Sequence, residues 1–200
     1  MPTGGHPARP GPENVVLVGY QDQGNLGLGY LAAVLIERGY EVTIVDFRKG
    51  PQAVLAAVRK HRPLVIGFSL IFQYYLPRYA SLAAFLRAHG VSTHITVGGH
   101  YPTLRYGDTL QAIPELDSVV RFEGEFTLLE LVETLAAGAD WHRIRGIAYR
   151  CDKVVVENPL RPLVANLDDL PVPYRAFEAD KMLAKNILTI LATRGCPRHC

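Results

Sequence analysis

The stretch Val15-Val16-Leu17-Val18-Gly19-Tyr20-Gln21-Asp22-Gln23-Gly24-Asn25-Leu26-Gly27-Leu28-Gly29 decides the fold. Residues 15–20 are continuously apolar rather than alternating, which predicts a strand buried on both faces. A loop carrying three glycines comes next, and residues 29–38 then place apolar side chains near the 3.6-residue period of a helix. The same unit recurs. Strands are predicted at 42–47, 64–69, 94–98 and 119–122, and helices at 52–60, 76–89, 106–113 and 126–137. Gly39, Gly90 and Gly138 close helical stretches where a left-handed residue is favoured. Strand and helix in strict alternation imply a doubly wound, Rossmann-like (flavodoxin-like) α/β layout around a five-stranded parallel sheet. Such a sheet binds ligands beyond the carboxyl ends of its strands, where the winding reverses.

Outside this frame the pattern changes. Residues 144–149 and 154–156 predict a β-hairpin appendage around Cys151-Asp152-Lys153. Pro159, Pro162, Pro171 and Pro173 punctuate the next segment, so residues 157–186 are expected to lack further ladder pairing or helix. A new strand is expected at 187–192. The expected organisation is a tail at 1–14, a first domain at 15–140, a hairpin and connecting segment at 141–186, and the start of a second domain at 187–200.

Composition narrows the function. The 21 basic and 19 acidic residues give a net charge of +2 without long runs, which offers no footprint for nucleic acid or an anionic membrane. Hydrophobic residues make up 48% of the chain, ample for a core. No stretch has the length of a membrane span or the make-up of a secretory signal, so a cytoplasmic location is expected. The three cysteines, Cys151, Cys196 and Cys200, are odd in number and crowded toward one end. Reduced thiols or metal ligands are expected rather than a disulfide framework.

The loops at the carboxyl edge carry the candidate chemistry. Gln21 to Gly29 offers backbone approach at its glycines and free N–H groups at the next helix start. Asp46 ends the second strand about twenty residues later, where a dinucleotide-binding fold has its ribose carboxylate. The glycines, however, run G-x-x-G-x-G, the reverse of that fingerprint, and Asp46 serves equally as a cap or solvated loop residue. The third strand ends in Gly67-Phe68-Ser69-Leu70-Ile71-Phe72-Gln73, the fourth in Val97-Gly98-Gly99-His100-Tyr101-Pro102-Thr103, and the fifth in Phe122-Glu123-Gly124-Glu125.

These loops together resemble those of the cobalamin-binding domains, whose pattern is Asp-x-His-x-x-Gly, then Ser-x-Leu, then Gly-Gly. The matching residues are Asp22-x-Gly24-x-x-Gly27, Ser69-x-Ile71 and Gly98-Gly99. Gly24 stands where that family has its cobalt-ligating histidine, so the resemblance implies cobalamin bound without a protein imidazole, as in the radical S-adenosylmethionine (SAM) branch. It further implies that Gln23, Asn25 and Leu26 belong to the binding loop. Gly98 and Gly99 would leave room for the buried nucleotide arm, with Ser69 bonding near it. Glu123, Gly124 and Glu125 would face the corrin amides. Plain structural roles stand beside each of these: a cap for Ser69, a turn for the glycine pair, helix N-terminal charge for the two glutamates. His100 is either a ligand contact or a loop residue bonded to backbone. Phe72, Gln73, Tyr74 and Tyr75 either line the lower corrin face or belong to the core.

The last eleven residues, Ile190-Leu191-Ala192-Thr193-Arg194-Gly195-Cys196-Pro197-Arg198-His199-Cys200, resemble the opening of the radical SAM motif Cys-x-x-x-Cys-x-x-Cys. There three thiolates hold a 4Fe-4S cluster and leave one iron for SAM. Cys196 and Cys200 have the first spacing, and the third cysteine would lie three residues past the last. A zinc site with His199 and a pair of inert thiols are the alternatives. The resemblance implies the first strand of a (β/α) barrel here. It also implies a parent enzyme that uses SAM to remove hydrogen from an unactivated carbon and cobalamin to donate a methyl group in a biosynthetic pathway, supplied by an electron-donor protein. Ring closure or rearrangement, a purely cobalamin-binding module, and a nucleotide-binding oxidoreductase domain remain the other readings.

Overall fold

The computed structural model describes residues 13–21, 25–175, 180–182, 185–187, 189–191 and 193–195. Five strands run parallel: β1 (Asn14–Gly19), β2 (Glu41–Asp46), β3 (Val65–Ser69), β4 (His94–Gly98) and β5 (Ser118–Val120). Their order in the sheet is β2-β1-β3-β4-β5, so the winding direction reverses between β1 and β3. The helices are α1 (Leu26–Glu37), α2 (Pro51–His61), α3 (Leu76–Ala88), α4 (His100–Leu104), α5 (Tyr106–Ala112) and α6 (Glu125–Ala136).

The apolar run that opens the chain is buried on both faces, as expected of a central parallel strand. Val15 and Leu17 pack on one side with Leu28, Leu35, Leu128 and Leu131 of α1 and α6. Val16 and Val18 pack on the other with Val54 and Val58 of α2 and Leu82 and Leu86 of α3. Successive strand residues point to opposite faces, so one four-residue segment seeds both layers of the core. Gly39, Gly90 and Gly138 all take positive φ at helix ends.

The hairpin of β6 (Ile147–Cys151) and β7 (Val154–Glu157) is no separate appendage. β6 pairs antiparallel with β5, Ser118 opposite Tyr149, and the sheet has seven strands. The connecting segment also departs from expectation. It holds a 3-10 turn at Leu167–Asp169 and a small antiparallel pair of β8 (Asp180–Met182) and β9 (Lys185–Ile187). The prolines that strip out backbone donors end at Pro173, and beyond them nothing forbids a ladder. Among the described residues of the strand expected at 187–192, Ile187 lies in a strand and Thr189 to Leu191 do not, and Ile190 is 79% exposed.

Candidate functional site

A cavity of about 550 Å³ opens at the carboxyl ends of β1, β3, β4 and β5 and runs inward between the sheet and helices α1 and α6. Its floor is strand: Leu17, Gly67, Phe68 and Thr96. Its roof is Leu28, Tyr30 and Leu31 of α1 with Leu128 of α6. The volume lies in the range of small-molecule sites, and the walls are mostly apolar. The cavity adjoins the switch point between β1 and β3, where an open α/β sheet leaves a crevice because its neighbouring helices sit on opposite faces.

Four glycines of the lining pack closely against neighbouring protein atoms. A β-carbon on Gly67 would stand 2.8 Å from Leu17 Cδ2, one on Gly98 3.3 Å from the Val120 carbonyl, and one on Gly124 3.3 Å from Leu31 Cδ2. Gly99 has φ 115° and ψ −178°, a backbone region essentially reserved for glycine, and a β-carbon there would stand 2.3 Å from the Leu70 carbonyl oxygen.

Of the residues singled out in the sequence, Leu26, Gly27, Ser69, Gly98, Gly99, His100, Glu123, Gly124 and Glu125 line the cavity. Asp22, Gln23 and Gly24 lie outside the described residues, as do Cys196 and Cys200, so the metal assignment falls there too. The remaining described candidates do not line it. Asn25 caps α1: its Oδ1 accepts from Leu28 N at 3.1 Å and its Nδ2 donates to the Tyr20 carbonyl at 3.0 Å. Leu70 is fully buried in the opposite core layer, Ile71 is half-buried and Phe72 is 64% exposed. Thr103 is buried, and its Oγ1 accepts the Phe122 amide at 3.0 Å, tying the loop after β4 to the loop after β5.

The two glutamates are engaged by the chain itself. Glu125, the first residue of α6, is 4% exposed and takes Arg194 Nη2 on its Oε1 at 2.7 Å. Glu123 Oε2 accepts the Val164 amide at 2.6 Å, while its Oε1 lies 4.0 Å from Arg194 Nη1. The Arg194 guanidinium also sits 4.9 Å above the Tyr30 ring. Asp46 lies elsewhere. Burial alone would raise its carboxyl, but the side chain and amide of Arg48 outweigh that and hold it below its ordinary value. Its Oδ1 caps the turn Phe47–Lys49, accepting from Arg48 N at 2.9 Å. That carboxylate is committed to a cap and does not border the cavity, which removes the ribose-binding feature of the dinucleotide reading.

Sequence reasoning placed Gly67 at the binding edge without giving it a site role, and missed Thr96 and the cavity faces of α1 and α6. A glycine in mid-strand marks close approach and a threonine in a buried strand is unusual, so Gly67 and Thr96 carried a signal. Tyr30, Leu31 and Leu128 carried none, since an apolar helix face looks the same over a core or a cleft.

Among the described residues no cluster of three metal-ligating side chains occurs, and no helix is long and apolar enough to cross a membrane. The chain is 32% identical over 183 residues to the anaerobic magnesium-protoporphyrin IX monomethyl ester cyclase of Synechocystis sp., covering 88% of this chain and 36% of that protein. It is 30% identical over 181 residues to an uncharacterized methyltransferase of Pyrococcus horikoshii, covering 88% and 39%. The chain thus spans somewhat over a third of the length of these relatives. A solved cobalamin-dependent S-adenosylmethionine radical enzyme, OxsB with aqua-cobalamin bound, superimposes with a TM-score of 0.69 over 81% of this chain and 24% of that one at 24% identity, a likeness of fold. The B12 binding domain profile matches residues 12–132, which contain β1 to β5 and every described cavity residue except those at 191–195. With that match over more than half its length, the chain belongs to the B12 binding domain family.

Proposed function

We propose that this chain binds cobalamin at the carboxyl edge of its sheet, within a radical SAM enzyme that transfers a methyl group to an unactivated carbon of a biosynthetic substrate. The observation that carries the reading is the glycine-walled cavity between β1, β3, β4 and the helices α1 and α6, inside the span matched by the B12 binding domain. Gly67, Gly98 and Gly99 give an edge-on aromatic nucleotide arm a channel along the sheet, while Leu28, Leu31 and Leu128 remove its apolar faces from water. Ser69 and Thr96 border the channel, and Gly24 stands in the sequence where the cobalamin-binding pattern has its cobalt-ligating histidine. When bound, cobalamin supplies a cobalt-carried methyl group, and the protein's part is to place and shield it. Cys196 and Cys200 would be the first two thiolate ligands of a 4Fe-4S cluster that binds SAM, and a reducing partner protein would feed it electrons.

The 32% identity to a magnesium-protoporphyrin ester cyclase favours a second reading, ring closure, with the same cofactors. Hydroxocobalamin incubation followed by desalting tests the shared core. Retained corrin absorption in the visible spectrum is expected, together with its loss when Gly98→Leu fills the channel alongside Asp22→Ala. A wild-type chain that emerges colourless would end both readings.

A further inference from the structure

Arg194 is the one side chain among the described residues 189–195 that is drawn inward: its side chain is 18% exposed, whereas Leu191, Thr193 and Gly195 lie exposed. Three groups converge on it, from α1, from α6 and from the loop just before α6. Glu125 on the first turn of α6 bonds it at 2.7 Å, Glu123 stands 4.0 Å away, and the Tyr30 ring of α1 lies beneath it at 4.9 Å. A planar guanidinium satisfies paired carboxylates and an aromatic face together, which an ammonium does not. The Glu125 carboxylate it meets is 5% exposed, so the pair is desolvated and its loss strands a buried charge. The same Glu123 also holds Val164, and the connecting segment crosses α1 where Tyr174 N donates to the Gly29 carbonyl at 2.9 Å. The connecting segment is thus held to the domain at Val164 and Tyr174, and the described residues 193–195 are held to it through Arg194.

We propose that Arg194 is a positioning residue: by gripping Glu125, Glu123 and Tyr30 it fixes the chain that leads into the Cys196 motif against the wall of the cofactor cavity. Arg194 precedes Cys196 by two residues, so the grip fixes the chain just ahead of the cysteine motif relative to a ligand in the cavity. This rests on the cobalamin reading for its purpose but not for its geometry. It makes the cavity wall and the entrance to the cysteine motif one rigid unit.

Nitrogen-15 relaxation on the full 200-residue chain, with and without diamagnetic hydroxocobalamin, tests it. Wild type is expected to show amide order parameters at Leu191, Thr193 and Gly195 near ~0.85, falling below ~0.6 in Arg194→Ala and in Glu125→Gln. Arg194→Lys should recover part of the order, and amides of β1 to β5 should stay unchanged. Flexible wild-type amides at those three positions, or order unaltered in Arg194→Ala, would overturn the proposal. So would a uniform loss of order across the sheet with a lowered melting midpoint, which marks a general brace. Corrin retention by the same wild-type sample is read separately. A colourless wild type defeats the cobalamin reading alone, and retained corrin with unaltered order in Arg194→Ala defeats the anchor alone.

Discussion

The amide of Leu70 donates to the carbonyl of Gly98 at 2.9 Å, so the loop after β3 and the loop after β4 are joined by main chain at the lip of the cavity. Gly99 comes next at φ 115°, and the Leu70 backbone leaves no room for a β-carbon on it. Gly99→Ala therefore combines a conformation L-residues avoid with a clash against immovable backbone, and should cost about 3 kcal/mol or more. Urea unfolding measures it. A loss under about 0.5 kcal/mol, the range of an ordinary surface change, would show that the two loops are not locked.

Tyr79 supports the same rim from below. It is fully buried, burial pushes its phenol well above the ordinary range, and its hydroxyl donates to the Ser69 carbonyl at 2.7 Å. Tyr79→Phe keeps the packing but orphans that carbonyl, for a cost of about 1–3 kcal/mol. The same variant should loosen Ser69 and so weaken retention of hydroxocobalamin in a desalting assay. Unchanged stability would mean that water replaces the phenol and that the bond adds little.

Much of this was legible in residues 15–29. A continuous apolar strand, a glycine loop and a periodic helix dictate a buried parallel strand regardless of the rest of the chain, and β1 to β5 fall within a residue or two of expectation. The five residues of α4 were not legible, because one turn and a half carries no periodicity. Nor was the joining of β6 to β5, since an edge strand's partner is a matter of backbone pairing rather than side-chain pattern. At the site, glycine positions could be read because they mark backbone constraints. The partners of Glu123 and Glu125 could not, since Val164 and Arg194 are brought to them by a proline-rich connection that has no period.

Phe122 carries strain at the cavity mouth. Its φ is 59°, unusual for an aromatic residue, and its amide is held by Thr103 Oγ1 at 3.0 Å. A left-handed residue of this kind costs about 1–2 kcal/mol, and asparagine accepts the conformation far more readily. The ring is 50% exposed and lines the cavity, so its cost is offset by no full burial. Phe122→Asn should raise stability by about 1 kcal/mol in thermal unfolding while lowering affinity for hydroxocobalamin in a spectral titration. Improved stability with unaltered affinity would remove Phe122 from the site.

His94 makes the fold sensitive to acid. It starts β4, its Nε2 lies 2.9 Å from Ser118 Oγ, and Ser118 Oγ in turn donates to Thr96 Oγ1 at 2.8 Å, on the cavity floor. Thr96 Oγ1 gives its proton to the Ser118 carbonyl at 3.2 Å, so Ser118 must donate to Thr96 and His94 must donate through Nε2. Burial lowers the imidazole to about 4, with Arg87 and His142 adding to the depression and Asp117 opposing it. The unfolded chain, titrating near the ordinary 6.5, therefore binds a proton that the folded chain refuses between pH 6.5 and about 4. Stability should accordingly be full above pH 6.5 and fall by roughly 1.4 kcal/mol per unit as pH drops through that window, about 2 kcal/mol by pH 5. Urea midpoints at pH 7 and pH 5 measure the slope, and His94→Gln should flatten it because an amide can donate to Ser118 without titrating. A slope that survives this substitution would assign the acid sensitivity to other groups and leave the hydroxyl chain from β4 to the cavity with no titrating end.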